Sequence, residues 1–183
     1  MADRERYGWK TTGSALKYRN AWISVREDAV VYPDGKTGVY GVLEKPPGVC
    51  IVPRAEDGGI HLLRQYRYTV DAEVWELPAG GIQPAETEAA AARRELGEEV
   101  GLSARDLERL GNFYTALGHE TAEIIVFLAT GLEPAPAARE RPGDESILEV
   151  RKVPLREVRR MIRENHIQCG ITLAALNHYL QRL

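Results

Sequence analysis

Cysteine is scarce in this chain of 183 residues. Only Cys50 and Cys169 occur, isolated from one another and in no zinc-binding or redox spacing. That excludes a disulfide-stapled secreted scaffold and leaves a reduced, cytoplasmic setting as the expectation. Each cysteine reads as a small buried hydrophobe. Long apolar runs are missing as well, so no segment reads as a bilayer-spanning helix. The opening stretch Met1-Ala2-Asp3-Arg4-Glu5-Arg6 is charged with no apolar run behind it, which does not read as a signal peptide. An excess of basic charge is lacking too. The formal net charge is −3, which argues against nucleic acid or an anionic membrane as a partner. A polyanionic substrate would need a local positive site or a bound metal ion. No internal repeat of solenoid period is present.

What remains is ordinary globular material. The chain is 44% hydrophobic and 28% charged, enough to build a core. Its length suits one domain, or one domain with a small added sheet. The N-terminal third reads as strands near Ala21–Val25, Ala29–Tyr32 and Gly38–Leu43. Pro33-Asp34-Gly35-Lys36 forms a turn signal before the last of these. Val49–Pro53 and Ile60–Tyr68 follow as two more strands across the polar turn Glu56-Asp57-Gly58-Gly59. Residues Pro84 to Val100 read as a helix, with Ala89, Ala92, Leu96 and Val100 as its apolar stripe and Gly101 at its stop. Strands are then expected at Leu107–Tyr114, Glu123–Leu128 and Ile147–Val153. A loop is expected over Leu132–Gly143, and closing helices near Leu155–Asn165 and Thr172–Arg182. This order predicts an α/β fold, a mixed sheet packed between helices and preceded by an antiparallel sheet.

The chemistry concentrates on the middle helix, in Arg94-Glu95-Leu96-Gly97-Glu98-Glu99. Helical residues advance about 100° each, so Glu95 and Glu99 project about 40° apart and Glu98 about 60° from Glu95. Arg94 is one helical turn before Glu98 and within its reach. Like charges this close repel, and a divalent cation reverses that repulsion. Oxygen ligands without histidine or cysteine point to Mg²⁺, with Mn²⁺ as the other candidate, rather than zinc. A solvated acidic face is the plain alternative. Against it stand Gly97, which costs about 1 kcal/mol inside a helix, and the upstream segment Leu77-Pro78-Ala79-Gly80-Gly81, which lets backbone approach a ligand.

Gly80, Glu86, Arg94-Glu95-Leu96, Glu98-Glu99 and Gly101-Leu102, at these intervals, resemble the Nudix box at every specified position. The resemblance implies a Nudix α/β/α sandwich and metal-dependent hydrolysis of a nucleoside diphosphate linked to a second group. It implies Glu95, Glu99 and the Ala79 carbonyl as metal ligands. Glu98 is implied either as a further ligand or as a base acting through water. Arg94 would orient the glutamates, and Glu86 would support the helix or a second metal. Leu62–Arg67 together with Trp75–Gly80 are similar to the branch of ADP-ribose pyrophosphatases and nucleotide-sugar hydrolases. In that branch an N-terminal sheet, here 1–46, is exchanged between the subunits of a homodimer, and the hydrolase domain would be 47–183. Arg67 matches a diphosphate-binding arginine; Arg64 is either a second such group or an edge-strand charge. Glu76 either touches substrate or braces its loop, Trp22 or Tyr18 would stack on a nucleobase, and Glu123 fits a downstream substrate position. Leu117 stands where ADP-ribose enzymes carry a proline before Gly118. That leaves ADP-ribose, cut to AMP and ribose 5-phosphate, beside GDP-mannose, other nucleotide sugars and dinucleotides. His119 and Glu120 would face the terminal sugar. A base from a mobile acidic loop would be Glu145, with Asp144 second. A binding regulator without hydrolysis is the rival from another class.

Overall fold

The computed structural model describes residues 4–136 and 146–183. Two compact units divide the chain: residues 1–46 with 114–123, and residues 47–113 with 124–183.

The first unit is built on an antiparallel sheet of four strands in sequence order. These are β1 (Arg4–Arg6), β2 (Trp9–Arg19), β3 (Ser24–Val31) and β4 (Thr37–Glu44). The turn expected at Pro33–Lys36 forms. Tyr32 N donates to Lys36 O at 2.8 Å, Gly35 N to Tyr32 O at 2.9 Å, and Gly35 takes φ 84°, a conformation that costs glycine little. Two of the expected elements differ. The strands expected at Ala21–Val25 and Ala29–Tyr32 are replaced by one strand, β3, which starts only at Ser24 and ends at Val31, and β2 was not foreseen. Its sequence Trp9-Lys10-Thr11-Thr12-Gly13-Ser14-Ala15-Leu16-Lys17-Tyr18-Arg19 mixes polar and apolar residues on both faces, so it lacks the alternation by which a half-buried strand announces itself. Most of β2 is exposed. Trp9 packs edge-on against Tyr32 and Tyr40, with centroids at 5.1 and 5.8 Å. Residues 114–123 join this unit where Leu43 N donates to His119 O and Thr121 N to Leu43 O.

The second unit holds two sheets. One is mixed, ordered β8 (Ala79–Gly81), β5 (Gly48–Pro53), β10 (Glu123–Pro134), β9 (Leu102–Tyr114). In it β5 runs parallel to β10 and antiparallel to β8. The other is antiparallel, ordered β11 (Ile147–Val153), β6 (Ile60–Arg67), β7 (Ala72–Glu76). Every residue of β5 is buried, as befits a strand covered on both faces. Val49 and Ile51 pack with Ala91 and Ala92 of α1 (Glu88–Glu95) and with Leu96 just after it. Cys50 and Val52 pack on the other side with Val158 and Met161 of α2 (Leu155–Arg163) and Ala175 and Leu176 of α3 (Gly170–Leu180). Helices thus cover both faces of the β5–β10 pair, the expected α/β/α sandwich. Among the described residues no helix is long and apolar enough to cross a membrane.

The central helix differs from expectation in two ways. Its regular part starts at Glu88, where the Thr87 hydroxyl caps the Ala90 N–H. Residues Leu96–Val100 widen into a π turn that ends on Gly101 at φ 74°. A π turn inside a helix often marks a functional site. Strands β7 and β8 were not foreseen either, being short and interrupted by Leu77-Pro78.

Candidate active site

The loop from β7 through β8 runs beside the acidic helix. Ile51 N donates to Pro78 O at 2.9 Å, and β8 pairs Ala79 with Cys50 and Gly81 with Gly48. This ladder presents Gly80 to Glu95. A Cβ at Gly80 would overlap the Glu95 carboxylate. The Ala79 N–H donates to Glu99 Oε2 at 2.9 Å. Glu95 and Glu99 are both buried, at 6% and 3% exposure, and buried carboxylates are costly unless charge or hydrogen bonds compensate them.

Arg94 supplies much of that compensation. Its Nε donates to Glu86 Oε1 at 2.9 Å, and its Nη2 to Glu86 Oε2 at 3.0 Å and to Gly81 O at 2.8 Å. Its Nη1 donates to Glu95 Oε1 at 2.6 Å and Glu98 Oε2 at 3.1 Å. Glu86, ahead of Glu95 and Glu98 and against the cost of partial burial, holds the guanidinium more firmly charged than an ordinary arginine. Glu86 also accepts from Gln83 N, so it ties the approach to α1 to the helix itself.

The donor chemistry fits a hard divalent ion: carboxylate oxygens grouped on one helix, and no nitrogen or sulfur ligand among the expected residues. Among the described residues no three acidic, histidine or cysteine side chains form a ready cage for a metal. Mg²⁺ seldom takes an all-protein cage. It is usually bound by one or two carboxylates together with water and substrate phosphates.

Arg67 and Glu76 meet at the inner face of the three-stranded sheet. Glu76 is buried and accepts on Oε2 from Arg67 Nε and Nη2 and from Gln65 Nε2. Burial works against the charge of Arg67. The hydrogen bond and charge of Glu76, with Glu99 adding to them, outweigh it and raise the pKa. Gln65 was missed in the sequence; the available signal is its place between Leu63 and Arg67 on one face of β6. Thr172, in the first turn of α3, accepts from Leu77 N at 3.0 Å and was missed as well. Arg64 faces the other way, paired with Glu73 at 2.5 Å and Glu149 at 3.4 Å. Trp75 lies under Arg64 and Arg151. Cys50 is fully buried, as expected. Cys169 is not: it is partly exposed at the N-cap of α3. Burial still pushes its thiol pKa up, with Thr172 opposing and the Glu76 charge adding.

The remaining expected residues lie elsewhere. Trp22 is 68% exposed in the first unit, in a cleft it shares with Arg19, Asn20, Ser24, Glu44 and Lys45. Tyr18, also exposed, belongs to the same unit. Glu123 begins β10 and is grouped with the first unit. Leu117 is 78% exposed, and Gly118 O accepts from Tyr40 Oη at 2.5 Å. Glu120 pairs with Lys45 at 3.5 Å and accepts from the Thr115 hydroxyl. Asp144 and Glu145 fall outside the described residues.

A mixed sheet between helices, with a glycine loop closing on buried helix glutamates, makes an α/β/α sandwich. The crystal structure of an ADP compounds hydrolase shares that fold: TM-score 0.86 at 23% identity, covering 98% of this chain and 96% of the other. The NUDIX domain profile matches residues 44–169, and the profile of the nucleoside diphosphate sugar hydrolase N-terminal domain matches residues 9–43. The chain belongs to the Nudix family and is a pyrophosphohydrolase. Among its relatives, an ADP-ribose pyrophosphatase of Mycobacterium tuberculosis is 32% identical over 93% of this chain and 82% of its own. An ADP-ribose pyrophosphatase of Bacillus subtilis is 28% identical over 94% of this chain and 92% of its own.

Proposed function

We propose that this enzyme hydrolyses the diphosphate of ADP-ribose to AMP and ribose 5-phosphate with the help of Mg²⁺ or Mn²⁺. The observation that carries this reading is the joint burial of Glu95 and Glu99 against Gly80 and the Ala79 N–H. Buried carboxylates beside a backbone stripped of side chain suit a cation that must also reach a phosphate. Glu95, Glu99, the Ala79 carbonyl and Glu98 would hold the ion. When bound, it offsets phosphate charge and acidifies a water. Arg67 adds a fixed positive group on the substrate diphosphate. A water oxygen attacks one phosphorus, the bond from that phosphorus to the bridging oxygen breaks, and the leaving phosphate departs with the electron pair. A carboxylate takes the water's proton; Glu98 is one candidate and Glu145 the other. Arg94 keeps the helix glutamates in place.

The likeness to two ADP-ribose pyrophosphatases supports the substrate. A second reading, a nucleotide sugar such as GDP-mannose, is favoured by Leu117 at the proline position and by the sugar-hydrolase profile over residues 9–43. Residues 1–46 serve as a dimerisation element and 47–183 as the hydrolase domain. Exposed Leu16, Tyr18, Trp22 and Val39 in the first unit support a homodimer; Trp22 would stack on a base and Glu123 would contact substrate. Free thiols at Cys50 and Cys169 fit a cytoplasmic protein.

The deciding experiment is a panel of nucleotide sugars, dinucleotides and dinucleoside polyphosphates with Mg²⁺ or Mn²⁺, read by phosphatase-coupled phosphate release. ADP-ribose as the preferred substrate supports the proposal. Preference for GDP-mannose or another member replaces the substrate and keeps the chemistry. Binding of ADP-ribose without turnover of any member would make the protein a regulator.

A further inference from the structure

Gln65, Glu76 and Arg67 form a chain of hydrogen bonds across two strands. Gln65 and Arg67 are two apart on β6 and share a face. Glu76 stands opposite Leu63 on β7, diagonal to Gln65 and further from Arg67, which pairs with Ala72. Diagonal neighbours on one sheet face come within reach of long side chains. Gln65 Nε2 donates to Glu76 Oε2 at 2.7 Å, and the same oxygen accepts from Arg67 Nε at 3.0 Å and Nη2 at 2.8 Å. Gln65 and Glu76 are 2% and 5% exposed, whereas the Arg67 side chain is 45% exposed. The inner end of the chain is therefore held inside the protein and the outer end reaches solvent.

A guanidinium is a rigid planar fork, so holding one edge fixes the plane and the direction of the opposite end. Glu76 takes the Nε–Nη2 edge of Arg67. A buried carboxylate gives up such donors only at a cost, so that edge stays on Glu76 when an anion arrives. Gln65 in turn fixes Glu76, because its amide competes with Arg67 for the same oxygen and prevents the carboxylate from following the guanidinium outward.

We propose that Glu76, positioned by Gln65, holds the Nε–Nη2 edge of Arg67 so that the guanidinium meets the substrate diphosphate through its Nη1 end, which makes Gln65 a positioning residue for substrate binding. The inference rests on Arg67 as the diphosphate ligand of the proposed function. It explains why arginine is needed there: a lysine has a single ammonium, which Glu76 would capture, leaving no second edge for phosphate.

The test measures KM and kcat for ADP-ribose, and its affinity by calorimetry in EDTA, for the wild type and for Arg67→Ala, Arg67→Lys and Gln65→Met. Loss of one charged hydrogen-bonding group makes Arg67→Ala raise KM about tenfold or more. Arg67→Lys is expected to behave like Arg67→Ala. Gln65→Met, close in volume, is expected to weaken affinity and raise KM several-fold while kcat changes less. No binding or turnover of ADP-ribose by the wild type overturns the proposed substrate, whereas wild-type KM and affinity in Arg67→Ala overturn Arg67 as the ligand. If Arg67→Ala is impaired but Arg67→Lys restores wild-type KM, the ligand assignment survives and the edge-holding role of Glu76 is overturned. A Gln65→Met protein that melts lower yet keeps wild-type KM and affinity makes Gln65 merely structural. Should Gln65→Met fail to fold, Gln65→Asn, too short to reach Glu76 in the same way, replaces it with the same outcomes.

Discussion

The Glu95 carboxylate occupies the space that a side chain at residue 80 would fill. The glycine is thus required by a partner on another element, and the loop and the helix are fitted to one another. Gly80→Ala must push Glu95 aside or lift β8 from β5. Overpacking of this kind costs about 1–3 kcal/mol. The expected outcome is a lower melting temperature together with a loss of turnover comparable to that of Glu95→Gln. A variant with wild-type turnover would show that the contact is not needed for activity.

Metal binding should appear in stability as well as in rate. A ligand that binds only the folded state raises its stability in proportion to the logarithm of concentration over Kd. Mg²⁺ is therefore expected to raise the melting temperature of the wild type, and not that of Glu99→Gln. That variant keeps an oxygen for the Ala79 N–H, so it should fold while its turnover falls by orders of magnitude. EDTA should abolish wild-type turnover, and excess Mg²⁺ should restore it. Equal Mg²⁺ shifts in the two proteins would remove Glu99 from the ligand set.

Arg94 is 13% exposed and paired with Glu86, Glu95 and Glu98. Removing a partner from a largely buried charge cluster costs about 3–5 kcal/mol, so Arg94→Ala should melt well below the wild type. Arg94→Lys keeps the charge, but one ammonium cannot span these carboxylates and the Gly81 carbonyl. It should recover only part of the stability. Thermal melts of both variants check this, and full recovery by lysine would reduce Arg94 to a simple counter-charge.

His61 lies opposite Lys152 in the β6–β11 ladder. Burial, then the Lys152 charge, holds its imidazole below the ordinary 6.5, with Asp57 opposing. The unfolded chain therefore binds a proton at a higher pH than the folded one. Stability from this residue is complete above pH 6.5 and is lost as the pH falls from there through the lower folded value. Melting temperature against pH should slope upward more steeply through this range in the wild type than in His61→Gln. Parallel curves would refute the shift.

The box helix and most elements of the second unit were legible because they carry local signals: helical spacing of Ala92, Leu96 and Val100, apolar runs in β5 and β6, and a glycine after Val100. Strand β2 was not legible, since it mixes polar and apolar residues on both faces without alternation. The short strands β7 and β8 were hidden by Leu77-Pro78. The π turn at Leu96–Val100 was read as ordinary helix, because residue type alone does not report a shift in hydrogen-bond register.

For the site, the sequence by itself determined which residues could do the chemistry: the spacing of Arg94, Glu95, Glu98 and Glu99 puts them on neighbouring turns of one helix, and backbone geometry alone imposes that. Only the tertiary structure decided what they pair with. Gly80 against Glu95, Ala79 against Glu99, and Gln65 and Arg67 on Glu76 join segments between nine and twenty residues apart. Such pairings depend on strand register and on which face of each element turns inward. Burial then gives them weight, because a carboxylate removed from water must take its partners from whatever the fold brings to it.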